Sequence, residues 1–89
     1  MSIMLQLTRE ELNSLNYPVL VEMWDRVMGS GVKRRKYTAA FTDTQRRTIR
    51  RYRDLFHNWY LVKGTPKTHT MKPETLILVR NAIAFFGSI

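Results

Sequence analysis

The sequence predicts an all-α fold, a small single-domain bundle of about four helices within residues 1–89. Three observations support this prediction. Apolar residues recur at helical spacing in several segments, two threonines begin capping boxes that typically start helices, and no segment combines a convincing strand pattern with a partner. The predicted helices cover residues 9–15, 17–28, 43–63 and 73–86, and a basic connector, residues 29–41, joins the second helix to the third.

The first two helices are predicted from the residues at their ends. Thr8 and Glu11 have the spacing of a capping box, in which each side chain bonds the other residue's backbone amide. Asn16 is a good N-cap for the second helix, since its side chain can accept from a first-turn amide and Pro18 is tolerated there. The glycine-rich segment 29–31 then ends this helix.

The third and fourth helices have equally clear boundaries. Thr42 and Gln45 form a second capping box, and Gly64 ends the third helix. The fourth helix is apolar almost all round from residue 76 to 86, a pattern typical of a buried helix. We therefore expect either the rest of the chain or a second copy to cover it. The residues that favour a homodimer are Ile77, Leu78, Phe85 and Phe86.

Two short segments have weaker, extended patterns. Residues 4–7 are compatible with an extended arm, and residues 65–71 are compatible with a strand but contain Pro66. Neither segment has an evident partner, so we predict no sheet.

The composition is strongly basic and lacks cysteine. Fifteen lysines and arginines face seven acids, which gives a formal charge of +8. A small domain with this balance is expected to bind nucleic acid, an anionic membrane surface or an acidic protein. Arginines outnumber lysines, and the planar guanidinium suits bidentate contact with phosphate, carboxylate or guanine. The lack of cysteine excludes disulfides and thiolate chemistry and favours an intracellular location.

No membrane span or signal peptide is expected. No apolar run reaches the roughly 18–20 residues that a span needs, and residues 1–7 lack a basic start followed by a long apolar stretch. A helix lying on a membrane is disfavoured because its apolar face would already be used by the core. We expect a cytoplasmic protein, located at the nucleoid or, if it is viral, in the cytoplasm of the host.

The predicted third helix carries the densest positive charge. Its five arginines within eight residues are Arg46, Arg47, Arg50, Arg51 and Arg53. At about 100° per residue they occupy one side of the helix, opposite its apolar side chains. Arg46, Arg50, Arg53 and His57 form a row about 16 Å long, comparable with the phosphate spacing over a few nucleotides. Such a helix could lie in a major groove or follow a phosphate backbone.

Two interpretations of this arginine face remain open. Like charges four residues apart destabilise a helix by a few tenths of a kcal/mol each, and few acids lie nearby to offset them, which favours a binding function. The alternative is a solvated face whose arginines pair with acids of other helices. The available acids are Glu10, Glu11, Glu22 and Glu74.

A second group of basic residues lies in the connector. Lys33, Arg34, Arg35 and Lys36 are expected to form either a flexible arm that contacts phosphates or a solvated loop. Tyr37 and His57 fall near the basic residues, so we expect them to stack on bases. The other aromatic residues of the third helix, Tyr52, Trp59 and Tyr60, are expected in the core.

The sequence offers no site for catalysis, a metal or a cofactor. His57 and His69 are the only histidines, and no cluster of histidines and acids has metal-ligand spacing. No phosphate-binding glycine loop or nucleophile motif is present. We therefore expect a protein that is not an enzyme.

Two hypotheses about function follow. The first is a DNA- or RNA-binding protein that uses the third helix and the basic connector, with a standard helix-turn-helix disfavoured because a connector of about 13 residues exceeds the usual three or four. The second is a protein-binding inhibitor or adaptor, of the kind found in viruses and mobile elements. It would dock its basic face on an acidic or nucleic-acid-binding surface of a larger enzyme.

Overall fold

Five helices and one short sheet make up residues 3–89, the part of the chain that the computed structural model describes. Helices make up 72 % of these residues, so the predicted helical class is confirmed. In order, the elements are β1 (Leu5–Thr8), α1 (Arg9–Ser14), α2 (Pro18–Gly29), α3 (Gly31–Ala40), α4 (Asp43–Leu61), β2 (Thr68–Met71) and α5 (Pro73–Ser88). The first two residues of the segment 1–7, where no signal peptide is expected, lie outside the described residues.

The basic connector predicted at residues 29–41 is largely a helix, so residues 3–89 contain five helices and not four. Only Ser30 separates α3 from α2, and its hydroxyl caps α3 by accepting from the Lys33 amide at 3.3 Å. Lysine, arginine and alanine favour helix, but α3 buries only Tyr37. The apolar repeat that reveals the other helices is therefore missing from α3.

The prediction of no sheet is also wrong, because the two strands come from distant parts of the chain. β1 and β2 pair antiparallel, from Leu5 opposite Met71 to Thr8 opposite Thr68. Leu7 and Met71 are buried where the sheet meets the core. A four-residue strand shows little pattern by itself, and its partner here lies beyond four helices.

The helix ends follow the predicted chemistry with one exception. At the start of α4 the Thr42 amide donates to the Gln45 side chain at 2.9 Å and the Gln45 amide donates to the Thr42 hydroxyl at 3.2 Å. Gly64, with φ of 83°, follows the end of α4 in the left-handed conformation that glycine favours. Asn16 is not an N-cap. It has φ of 63° in the turn between α1 and α2, and Tyr17 occupies the cap position, where its side chain makes no capping hydrogen bond.

The core lies where α5 packs against both α2 and α4. α5 buries Val79, Ala82, Ile83 and Phe86, which agrees with the expectation that this helix is covered. Of the four residues that favour a homodimer, Phe86 is fully buried, Leu78 and Phe85 are partly buried, and Ile77 is 58 % exposed. Most of that set is therefore used within the chain, and the homodimer stays a prediction.

A cluster of aromatic rings fixes the position of α3. The Tyr37 ring lies 5.3 Å from the Phe86 ring and 6.1 Å from the Trp24 ring, measured between centroids. Phe41, just after α3, packs at 5.7 Å against Phe85. The one buried residue of α3 thus holds this helix against α2 and α5, while Arg34, Arg35 and Lys36 are exposed.

We predict that His69 makes the fold less stable in mild acid. Its ring packs at 5.4 Å from Phe56, and burial, assisted by the charge of Arg51, lowers its pKa below the usual 6.5. The unfolded chain therefore binds the proton more readily, so the stabilisation is complete above about pH 6.5 and is lost as the pH falls towards the lower folded pKa. Urea denaturation should give a lower free energy of unfolding at about pH 5.5 than at about pH 7.5.

His69→Gln should reduce that pH difference, whereas the same change at the exposed His57 should preserve it. An unchanged pH dependence in His69→Gln would show that another group is responsible.

Candidate nucleic-acid interface

The five arginines of α4 divide into two groups by exposure. The Arg46 and Arg53 side chains are 25 % and 26 % exposed, and both make several contacts within the fold. Arg47, Arg50 and Arg51 are exposed. The predicted row that included Arg46 and Arg53 is therefore not a row of free guanidiniums.

Arg46 fastens the end of α3 to the beginning of α4. Its guanidinium donates to the backbone carbonyls of Phe41, at 2.7 Å, and Thr38, at 2.9 Å, and it lies 3.4 Å from the Asp43 carboxylate. The last carbonyls of a helix have no partner within the helix and carry partial negative charge. Arg46 thus caps the C-terminus of α3.

Arg53 performs a similar structural task further along α4. Its guanidinium lies over the Trp24 ring at 4.7 Å from the centroid and pairs with Asp54 at 2.7 Å. Its backbone carbonyl accepts from the Tyr17 hydroxyl at 2.7 Å. Its side chain therefore joins α4 to α2, and its backbone joins α4 to the residue that precedes α2.

Acids of other helices do not neutralise the arginine face. Within residues 3–89 there are three ion pairs, and each joins an α4 arginine to Asp43 or Asp54 of the same helix. The acids that a solvated face was expected to use form none of these pairs: Glu10, Glu11, Glu22 and Glu74. Arg50 and Arg51 have no carboxylate partner in the described part of the chain.

The basic residues of α3 lie on a helix and not on a flexible arm. Arg34, Arg35 and Lys36 are exposed, and Lys33 is partly buried. The expectation that Tyr37 stacks on bases is wrong, since this residue is 3 % exposed and its ring is part of the core. His57 is exposed but lies beside a different concavity, together with Pro18 and Glu22.

A groove of about 230 Å³ brings the two basic segments together. It lies between α2, α3 and α4, where Arg34 of α3 meets Arg46, Arg47 and Arg50 of α4. The remaining lining residues are Trp24, Met28, Tyr37, Thr38 and Asp43. The other predicted site residues lie outside the groove: Lys33, Arg35, Lys36, Arg51, Arg53 and His57.

The sequence analysis missed Trp24, Met28 and Thr38 as residues of this groove. Trp24 and Met28 fall on the apolar face of α2, so they resemble ordinary core residues. Thr38 was part of the presumed connector. Reading Ser30 as an N-cap followed by good helix formers would have predicted α3, and with it the two-residue turn that brings Thr38 close to α4.

The hydroxyl of Tyr37 has no hydrogen-bond partner within the described residues. Its oxygen has less than 1 Å² of exposed area. Burial raises the pKa of Tyr37 to about 12, against the opposing charge of Arg46, so the hydroxyl keeps its proton at neutral pH. A buried polar group without a partner costs about 1–3 kcal/mol, and such groups are rare enough to need a reason.

Comparisons with known proteins give no match, so a functional proposal must be based on the geometry of this surface. No protein-family model, no curated protein and no solved structure matches the chain. Among residues 3–89, no group of three or more histidines and acids is placed to hold a metal ion. In the same part of the chain, no helix has the length and apolar character required to cross a membrane.

We predict that Arg46→Gln destabilises the fold. The change removes the two hydrogen bonds to backbone carbonyls that join α3 to α4, so it should lower the free energy of unfolding by about 1–3 kcal/mol. Arg47→Gln is the matched control, because Arg47 is 81 % exposed and pairs only with the exposed Asp43. It should change stability by less than about 0.5 kcal/mol. Equal effects in urea denaturation would contradict the structural role of Arg46.

Tyr37→Phe should raise the free energy of unfolding, by at most the roughly 1–3 kcal/mol that the unpartnered hydroxyl costs. The change keeps the ring in place and removes a hydroxyl that makes no bond within the protein. Tyr17→Phe provides the comparison, since it loses the 2.7 Å bond to the Arg53 carbonyl and should cost about 0.5–1.5 kcal/mol. A loss of similar size in Tyr37→Phe would mean that its hydroxyl has a partner within the fold.

Proposed function

We propose that this protein binds nucleic acid, without enzymatic activity, through the exposed basic residues of α3 and of the first half of α4. These residues are Arg34, Arg35, Lys36, Arg47, Arg50 and Arg51. The observation that carries the proposal is the groove where Arg34 of α3 meets three arginines of α4 and a single carboxylate, that of Asp43. A surface with this excess of guanidinium groups is suited to a chain of phosphates.

The difference between arginines that contact the fold and arginines that are exposed supports this proposal. Arg46 and Arg53 are held by carbonyls, a carboxylate or a ring, whereas Arg50 makes no ion pair within residues 3–89. Keeping like charges close together on one helix costs stability. A polyanion would offset that cost when it binds, because each neutralised phosphate releases counterions.

The arrangement of α3 and α4 also bears on how the protein would dock. The prediction against a helix-turn-helix relied on a connector of about 13 residues, and that connector is now mostly α3. Phe41 and Thr42 alone join α3 to α4, which is shorter than the usual turn of three or four residues. We propose that α4 lies along the phosphate backbone or enters a major groove, with α3 contacting phosphates beside it.

The alternative, a protein partner, is favoured by one observation. A second groove of about 290 Å³ near the C-terminal end of α4 includes Leu55, Trp59 and Val62 in its lining. Leu55 and Val62 are exposed apolar residues, and such surfaces suit protein partners better than phosphates. An inhibitor or adaptor would use this groove together with the basic face of α4.

The test is binding to fluorescently labelled duplex DNA, single-stranded DNA and RNA at several salt concentrations. The wild-type protein should bind with an affinity that falls steeply with salt. Replacing Arg47, Arg50 and Arg51 together with Gln should weaken binding and reduce the slope of log Kd against log salt by roughly one per lost phosphate contact. A triple change that included Arg46 and Arg53 would be a poor test, because both residues support the fold.

The matched control is the replacement of Lys63, Lys67 and Lys72 with Gln, which removes the same charge from exposed positions outside α3 and α4. This variant should bind nearly as well as the wild type. An equal loss in both variants would indicate attraction by net charge alone. No binding to any nucleic acid at low salt would exclude the proposal and favour the protein partner, which an affinity capture experiment could then identify.

A further inference from the structure

We propose that the groove between α2, α3 and α4 is a subsite for one phosphate group of the bound nucleic acid. In this subsite the Tyr37 hydroxyl donates a hydrogen bond to a phosphate oxygen, and the guanidiniums of Arg34 and Arg50 neutralise the charge. This inference rests on the proposed function and adds to it a defined position and ligand chemistry. The phosphate belongs either to an internal phosphodiester or to the end of a strand.

The first support is the unpartnered hydroxyl of Tyr37. Its residue is 3 % exposed and lines the groove, and its oxygen bonds no other group in the described residues. The hydroxyl is protonated at neutral pH, so it is a hydrogen-bond donor without an acceptor. Arg46 also lines the groove, and its charge opposes the rise that burial causes in the pKa of this hydroxyl. Because less than 1 Å² of this oxygen is exposed, a phosphate seated beside Arg46 becomes its acceptor once the side chains that line the groove shift to uncover it.

The second support is the charge around the groove. Four guanidiniums line it against one carboxylate, and that carboxylate, Asp43, already lies 3.0 Å from Arg47 and 3.4 Å from Arg46. Arg46 is held in place by two backbone carbonyls, so its charge needs no ordering when a ligand binds. Arg34 and Arg50 form no ion pair in residues 3–89 and are free to form charge-assisted bonds with phosphate oxygens.

The size and lining of the groove favour a phosphate over a stacked base. Its volume of about 230 Å³ is below the 300–1,000 Å³ of pockets for drug-sized ligands. The Trp24 ring in its lining already contacts the Arg53 guanidinium at 4.7 Å and the Phe86 ring at 5.6 Å. A base therefore has no free aromatic platform here. A phosphate with its sugar, whose apolar side would face Trp24 and Met28, fits the available space and chemistry.

Neighbouring arginines provide matched variants that separate this subsite from general electrostatic attraction. Arg34 and Arg35 are adjacent on α3 and both exposed, as are Arg50 and Arg51 on α4, but only the first of each pair lines the groove. The experiment measures Kd by fluorescence anisotropy with a 12-nucleotide single strand and with a duplex of the same sequence. Each is prepared with a 5′-phosphate and with a 5′-hydroxyl.

We expect Arg34→Gln and Arg50→Gln to weaken binding about tenfold or more, as the loss of a charge-assisted bond implies. Arg35→Gln and Arg51→Gln should weaken it less than about threefold. Tyr37→Phe should also weaken binding about tenfold, while Tyr60→Phe, whose hydroxyl bonds Arg9 and Asn13 elsewhere, should not. Thermal unfolding of each variant, measured in parallel, distinguishes a variant that no longer binds from one that no longer folds.

The outcomes distinguish the subsite from the proposed function. Binding that falls equally within each arginine pair and is unchanged in Tyr37→Phe would overturn the subsite and leave nucleic-acid binding intact. Failure of the wild-type protein to bind any of the oligonucleotides would overturn both. A preference for the 5′-phosphorylated strands that Tyr37→Phe abolishes would identify a terminal phosphate as the ligand. Equal affinity for the 5′-phosphorylated and 5′-hydroxyl strands, with a tenfold loss in Tyr37→Phe for both, would identify an internal phosphodiester.

Discussion

The packing of Tyr37 against Trp24 and Phe86 is the contact on which the rest of the basic surface depends. No other residue within α3 is buried. If this ring did not enter the core, α3 would have no buried side chain to hold it against α2, and the bonds from Arg46 would fix only its C-terminal end. The same residue that anchors the helix also lines the groove, and its buried hydroxyl has no partner within the described residues. Anchoring and the proposed recognition therefore share one side chain.

The arginines show how a small domain can carry many like charges and still fold. Arg46 is compensated by the carbonyls at the end of α3, and Arg53 by the Trp24 ring and Asp54. These contacts convert two potentially repulsive charges into links between helices. Arg47 and Arg50 remain next to a fixed Arg46, so the surface has charge whose position is set before a ligand arrives. Such preorganisation reduces the ordering that binding would otherwise require.

The sequence analysis was most successful where the pattern was local. The capping box of Thr42 and the apolar stripe of α4 are both read within a few residues, and both are present in the structure. α3 was missed because one buried ring does not make a periodic pattern, and the sheet was missed because its strands are distant in sequence. Helical spacing placed the arginines on the side of α4 opposite its apolar residues, but it also assigned Arg46 and Arg53 to a ligand. Their partners are backbone carbonyls and a ring on other elements, which helical spacing cannot reveal.

The proposed function requires α3 and α4 to form one surface for nucleic acid. Titrating the ¹⁵N-labelled protein with a short oligonucleotide, and following backbone amide and arginine side-chain signals by NMR, tests this directly. We expect shifts concentrated in residues 33–38 and 43–51, including the side-chain signals of Arg34 and Arg50. Shifts confined to the exposed face of α5, or to Leu55 and Val62 at the far end of α4, would contradict it.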